Sequence, residues 1–127
     1  MTAAKPPPCA SYAAGDLPLE SGAVLPDARL AYRSHGRVGE GDPIVTCSAF
    51  AQHHGDLAWL VGPGRPLDPE HHWLVHTELL GNGRSSSPSN TPAPRDGPAF
   101  PAVTIRDNVA LQARLLDHLG ADRIRAV

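Results

Sequence analysis

Ile44-Val45-Thr46-Cys47 is short, β-branched and does not alternate between apolar and polar residues. A strand with one solvated face alternates with a period of two. A run that does not alternate is expected of a strand buried on both faces, as in a parallel sheet. Working outward, Asp56 to Val61 is expected to form a short helix stopped by Gly62-Pro63-Gly64. Trp73-Leu74-Val75-His76-Thr77 reads as the next strand. Upstream, Ala28 to Arg33 places Leu30 and Tyr32 against Arg29 and Arg33, the alternation of a half-buried strand. Leu17, Leu19 and Ala23 to Leu25 flank Glu20-Ser21-Gly22, which predicts a hairpin. Residues 1–15 read as a flexible leader to a domain over 16–127.

Downstream, Gly81 to Pro101 has no periodicity and is rich in proline and serine. A structureless loop of that length is unusual in a compact domain and is commonly functional or disordered. The clearest helix follows. Thr104 is a good N-cap, with Asp107 three residues on at the positive end of the helix dipole. Ile105, Val109, Leu115, Leu116 and Leu119 share a face, with Leu111 beside it, and Gly120 suits the first position past the helix. Ile124, Ala126 and Val127 then open another strand. Antiparallel first strands followed by alternating strands and helices specify an α/β class, with a mixed, partly parallel sheet flanked by helices.

The chain has 127 residues, 41% hydrophobic and 19% charged, which is globular composition. Glycine (12) and proline (14) make about a fifth of it, so loops are abundant. A net charge of -2 argues against duplex nucleic acid or an anionic membrane surface as partner. No signal peptide and no run of 18 apolar residues is present, so a cytoplasmic location is expected. Cys9 and Cys47 are too few for a disulfide framework and read as free thiols.

Three blocks carry a resemblance. They are Trp59-Leu60-Val61-Gly62-Pro63-Gly64-Arg65-Pro66-Leu67-Asp68-Pro69, Gly81-Asn82-Gly83-Arg84-Ser85-Ser86-Ser87-Pro88-Ser89-Asn90-Thr91-Pro92, and Phe100 to Val109 continuing through Leu115-Leu116-Asp117-His118-Leu119-Gly120. In this order and spacing the chain resembles the homoserine O-acetyltransferase-like branch of the α/β-hydrolase superfamily. The Ser-Ser-Ser-Pro-Ser-Asn form is closer to hydrolase-like members. The resemblance implies an α/β-hydrolase fold and a Ser-Asp-His triad that moves an acyl group from an ester or thioester to an alcohol or water. It implies small-molecule donor and acceptor, no metal and no prosthetic group, with acetyl-CoA or another acyl donor as co-substrate. It is compatible with a homodimer of the complete protein. Ser48 stands where homoserine acetyltransferases tend to carry His, so homoserine itself is not carried over as acceptor.

No Gly-x-Ser-x-Gly occurs in the chain. Gly83-Arg84-Ser85-Ser86-Ser87 ends in Ser, follows the wrong strand and runs into Pro88, so it reads as a polar loop whose hydroxyls satisfy backbone groups. In the family the nucleophile elbow begins a few residues beyond Val127, so the chain is expected to be the N-terminal portion of the domain, without catalytic residues of its own. One active-site part is expected within it. The fold uses a backbone N–H from the loop after the third strand as an oxyanion donor. That loop is Ser48-Ala49-Phe50-Ala51-Gln52, with Phe50 the candidate donor and Ser48, Ala49, His53 and His54 candidates for the pocket rim.

The histidines do not make a metal site by spacing: neighbours in a strand face opposite sides, and His72 and His76 would lie about 13 Å apart along one. Gly81-Asn82-Gly83 lacks the spacing of a phosphate loop, and Asp68-Pro69 reads as turn chemistry. Two other functions remain open at this point. One is a non-catalytic module or half of a split enzyme, whose last strand is completed by a partner. The other is a small self-contained enzyme using Ser85 or a histidine cluster.

Overall fold

The computed structural model describes residues 9–49, 52 and 54–127, with the backbone alone at 54–56. Four strands form one sheet: β1 (Ala10–Pro18), β2 (Val24–His35), β3 (Ile44–Cys47) and β4 (Leu74–Thr77), in the spatial order β1-β2-β4-β3. β1 and β2 are the expected hairpin, closed by Leu19 N–H to Ala23 O (2.9 Å) and Gly22 N–H to Leu19 O (3.0 Å). β1 begins at Ala10, which pairs with Tyr32, so the strand takes in residues 10–15 that read as leader. Ala13, Ala14 and Gly15 are small and give little period-two signal. It is the antiparallel partner β2 that makes them a strand.

β2 runs antiparallel to β4 from Tyr32↔Thr77 to His35↔Leu74. β3 runs parallel to β4 from Ile44↔Leu74 to Cys47↔Thr77. The antiparallel start and parallel continuation are those expected. Burial differs in one respect. All four residues of β4 are buried, whereas β3 keeps Cys47 exposed and Ile44 and Thr46 half-buried. β4 lies between two strands; on the far side of β3, Ala126 makes a parallel bridge to Ile44 and Val45 N–H meets Ala126 O at 2.9 Å.

Helix α1 (Ile105–His118) carries the capping box read from the sequence. The Thr104 hydroxyl accepts the Asp107 N–H (3.2 Å) and the Asp107 carboxylate accepts the Thr104 N–H (2.8 Å). At the other end Gly120, at φ +81°, donates to Asp117 O, and Ala121 N–H reaches Leu116 O at 2.9 Å. This is the paired closure that a left-handed glycine permits.

The buried face of α1 is Asp107, Asn108, Leu111 and Leu115; Ile105 is 71% and Val109 57% exposed. The expected stripe is therefore rotated. Asn108 is drawn inward because its Oδ1 accepts Leu80 N–H (2.8 Å) and its Nδ2 donates to Thr104 O (2.9 Å). Asp107 also accepts Glu20 N–H (3.0 Å) from the hairpin turn. Two polar side chains satisfying backbone donors fix the helix azimuth, and Ile105 and Val109 turn outward as a consequence. Leu111 and Leu115 meet Leu17, Leu25, Leu30, Trp73, Val75 and Leu80 in one core. Fully burying each leucine stabilises the fold by roughly 1.5–3 kcal/mol.

Asp107 has a pH consequence. Burial alone would raise its pKa, but the Thr104 and Glu20 N–H groups and the Thr104 hydroxyl outweigh it, and the carboxyl is held below its ordinary value. A depressed carboxylate contributes stability above the unfolded-state pKa of about 3.9 and loses it as pH falls through the lower folded value. Urea denaturation of the parent and of Asp107→Asn is expected to show a constant difference above about pH 5 that shrinks below about pH 4. A difference independent of pH down to 3 would show that the charge contributes nothing.

Candidate active-site segment at the carboxyl ends of β3 and β4

In open α/β sheets, ligands bind beyond the carboxyl ends of parallel strands. Here those ends are Cys47 and Thr77, and the segments leaving them are tied together. Ser48 N–H donates to Thr77 O (2.9 Å), one rung past the β3–β4 ladder, and the Ser48 hydroxyl accepts Leu79 N–H (3.0 Å). Ser48 is 3% exposed. It is thus a tether facing inward, not the rim residue that its position in the loop suggests. The next turn is closed on itself: Ala49 N–H donates to Gln52 Oε1 (3.2 Å) and Gln52 N–H to Ala49 O (3.0 Å). Ala49 is exposed. Phe50 and His53 lie outside the described residues. His54 opens a 3-10 helix, His54–Leu60, where the sequence suggested an ordinary helix. The Val61↔Leu67 bridge around Gly62-Pro63-Gly64 ends it after two turns.

The serine-rich loop packs beside this point. Ser85, 0% exposed, accepts Ala31 N–H (2.9 Å) and donates to Glu78 O (2.6 Å). Ser86 Oγ accepts Arg29 N–H (2.8 Å) while Ser86 N–H returns to Arg29 O (2.9 Å). Ser87 Oγ accepts Gly83 N–H and donates to Ser85 O, both at 2.7 Å. The Ser85 and Ser86 hydroxyls replace strand partners of β2, and the Ser87 hydroxyl closes the loop on itself. Hydroxyls that serve backbone groups are the role read from the sequence for this loop.

Glu78, completely buried at the end of β4, was not singled out from the sequence. Its Oε2 accepts Asn82 Nδ2 (3.1 Å) and lies 3.8 Å from Arg84 Nε. Asn82 Oδ1 in turn accepts the N–H groups of Arg84 and Ser85. An acid directly after a short strand is the only signal for it, and a four-residue strand is too short to show which face the next side chain takes. His76, also buried, meets Thr46 Oγ1 through Nδ1 at 2.7 Å across the parallel pair. Cys9 and Cys47 are both free thiols, as the count suggested. Burial, reinforced by the charge of Glu78, pushes the Cys9 thiol pKa up, away from thiolate reactivity.

Asp68, Glu70 and His71 are the described residues that could group around a metal ion. They precede β4, at the end away from Ser48. Asp68 Oδ2 accepts Gly64 N–H and its Oδ1 accepts Glu70 N–H, both at 2.9 Å, and these bonds hold its carboxyl below the usual range. The turn role read from Asp68-Pro69 accounts for this acid.

The hairpin, the parallel β3–β4 pair with its strand order β1-β2-β4-β3, and α1 define the N-terminal portion of an α/β-hydrolase. No protein-family model matches the sequence. The homoserine O-succinyltransferase of Aromatoleum aromaticum is 36% identical over 94% of this chain and 37% of its own length. The homoserine O-acetyltransferase of Corynebacterium diphtheriae is 34% identical over 89% of this chain and 32% of its own. The crystal structure of the acetyl esterase MekB superposes with a TM-score of 0.87 at 32% identity, covering 93% of this chain and 35% of that one. A homoserine O-acetyltransferase structure from Bacillus anthracis has a TM-score of 0.76 at 20% identity over 92% of this chain and 39% of that one, which supports the fold alone. The chain is therefore a homologue of the homoserine O-acetyltransferase-like branch of the α/β-hydrolases, and it spans about a third of the length of these relatives. Among the described residues no helix is long and apolar enough to cross a membrane.

Proposed function

We propose that this chain forms the N-terminal portion, carrying the oxyanion loop, of a serine acyltransferase or ester hydrolase. In the complete protein a Ser-Asp-His triad from polypeptide beyond these residues attacks an ester or thioester, and Phe50 N–H is one of two donors to the tetrahedral oxyanion. The observation that carries the reading is the loop root. Ser48 fixes it to the ends of two parallel strands, and Ala49 N–H is already taken by Gln52. Donor and acceptor are small molecules, with acetyl-CoA or another acyl donor as co-substrate and no prosthetic group; the location is cytoplasmic. The names of the relatives support both outcomes, transfer to homoserine and hydrolysis of acetyl esters.

A serine-directed fluorophosphonate probe tests this. Applied to the complete gene product, it is expected to label one serine beyond position 127, and to block turnover of p-nitrophenyl acetate. Labelling of Ser85, Ser86 or Ser87, or turnover by residues 1–127 alone, would overturn it. A second reading, a module completed by a partner's strand, draws on the single parallel bridge of Ala126 to Ile44. Esterase activity that appears only when a second polypeptide is added would favour it.

A further inference from the structure

We infer that Asp68, Glu70 and His71 form a binding site for a first-row divalent cation such as Zn2+, independent of the acyl transfer proposed above. One donor atom from each lies within 4.8 Å of the other two. Donors on a shared Zn2+ sit about 2.0–2.2 Å from it, hence up to roughly 4 Å from one another. Small rotations of the exposed Glu70 and His71 side chains close the set. The backbone returns on itself to bring these positions together: Pro69 follows Asp68, and the N–H groups of His71 and His72 both donate to Asp68 O, at 3.1 and 2.9 Å. His71 Nε2 faces Asp68 Oδ2 at 3.9 Å, too long for a hydrogen bond but within the separation of two ligands on one ion. Glu70, His71 and His72 also line a cavity of about 130 Å³, which leaves room for the waters that complete a coordination shell.

The anchor is Asp68. It is 7% exposed, and its two oxygens accept Gly64 N–H and Glu70 N–H. Those bonds make the turn, yet a carboxylate has about four acceptor sites, so each oxygen keeps one for a metal. Outer hydrogen bonds of this kind orient a ligating carboxylate, and they hold Asp68 in the ionised form that a ligand needs. The imidazole nitrogen decides the class of ion. Carboxylates and water alone suit Mg2+ or Ca2+, whereas a nitrogen donor beside them favours Zn2+, Co2+ or Ni2+. Arg37 also lines the cavity, and its charge is offset by Glu40 at 3.4 Å. The site joins the turn at Gly64 to the entry of β4, at the end away from Ser48. The ion therefore holds structure there and supplies nothing to chemistry at the carboxyl ends of the strands.

The test is calorimetric titration of the metal-free complete gene product with Zn2+, repeated with Co2+, whose visible absorption reports its ligands. Glu70→Gln and His71→Ala are each expected to weaken Zn2+ binding by about tenfold to a hundredfold, and His71→Ala to change the Co2+ spectrum. Both side chains are exposed, so neither variant threatens the fold. Zn2+ at about a hundredfold excess over Kd is expected to raise the melting temperature of the parent by about 5 °C, and that of His71→Ala by less. Three outcomes overturn the inference: no Zn2+ binding by the parent, binding that both variants leave unchanged, which would place the ion on other histidines, or displacement of Zn2+ by an equal concentration of Mg2+, the mark of acids acting without the nitrogen. None of them bears on the proposed acyl transfer.

Discussion

Ser85→Ala is expected to lower the stability of the folded chain by about 2–4 kcal/mol. The hydroxyl is fully enclosed and makes two short bonds, from Ala31 N–H and to Glu78 O. Alanine is nearly the same size, so little cavity forms. The cost is two backbone groups left without partners, each about 1–3 kcal/mol when buried. Position in the sheet sharpens the effect. Glu78 N–H meets Ala31 O at 2.8 Å, and at Ala31 N–H the strands part and Ser85 takes the next rung. Removing it opens the sheet between β2 and β4, beside the Ser86–Arg29 pair. For a domain stabilised by roughly 5–15 kcal/mol this is a large fraction, and the melting temperature should fall by about 10 °C. Ser89→Ala, at an exposed position of the same loop, is the control and should stay within about 0.5 kcal/mol. Equal melting temperatures for parent and Ser85→Ala would show that the serine seam carries no stability. Ser85→Thr should not restore the parent fully, because it adds a methyl group where there is no space.

What the sequence made legible here was local. Thr104 and Asp107 are three residues apart and meet each other, so the capping box could be read directly. Gly120 needs only its own left-handed φ to close the helix. The hairpin around Glu20-Ser21-Gly22 follows from flanking apolar runs and a turn-forming trio. The serine loop was legible in kind, hydroxyls serving backbone, because a proline-rich segment without periodicity leaves its backbone groups to be satisfied by side chains. What was not legible depends on partners far along the chain. Ile105 and Val109 read as core by spacing, but Asn108 bonds to Leu80 and Asp107 to Glu20, and those contacts set the helix azimuth. Ser48 read as rim because it follows a strand, whereas Leu79, 31 residues on, turns its hydroxyl inward. Glu78 gave almost no signal, since one acid beside a short strand looks the same buried or solvated. The fold class thus follows from local patterns, while the orientation of the candidate site is fixed by long-range hydrogen bonds.

Gly36 brings that distinction to a single atom, and Gly36→Ala is expected to cost about 3 kcal/mol or more. The turn from His35 to Pro43 holds Gly36, Gly39 and Gly41, all at positive φ (+80°, +84° and +75°), and nothing in the sequence ranks them. A left-handed backbone with a Cβ costs roughly 1–2 kcal/mol per residue, and this part is common to all three. Their surroundings differ. A Cβ on Gly39 or Gly41 would meet nothing within 4 Å, whereas on Gly36 it would run into the carbonyl oxygens of His72 and Pro69. Both contacts are backbone, so no side chain can swing aside to relieve them. The remaining way out is to move the end of β2 away from the segment entering β4. That breaks the His35↔Leu74 pairing and disturbs the Trp73 carbonyl, which accepts Ile44 N–H at 2.8 Å. A single methyl group would thus loosen β2, β3 and β4 at the end opposite Ser48. Gly36→Ala and Gly39→Ala should therefore separate clearly in denaturant midpoint, the first losing about 2 kcal/mol more than the second. Amide exchange at Leu74 and Ile44 should accelerate only in the first. Equal losses for the two variants would show that φ alone governs this turn and that the approach to His72 and Pro69 is soft.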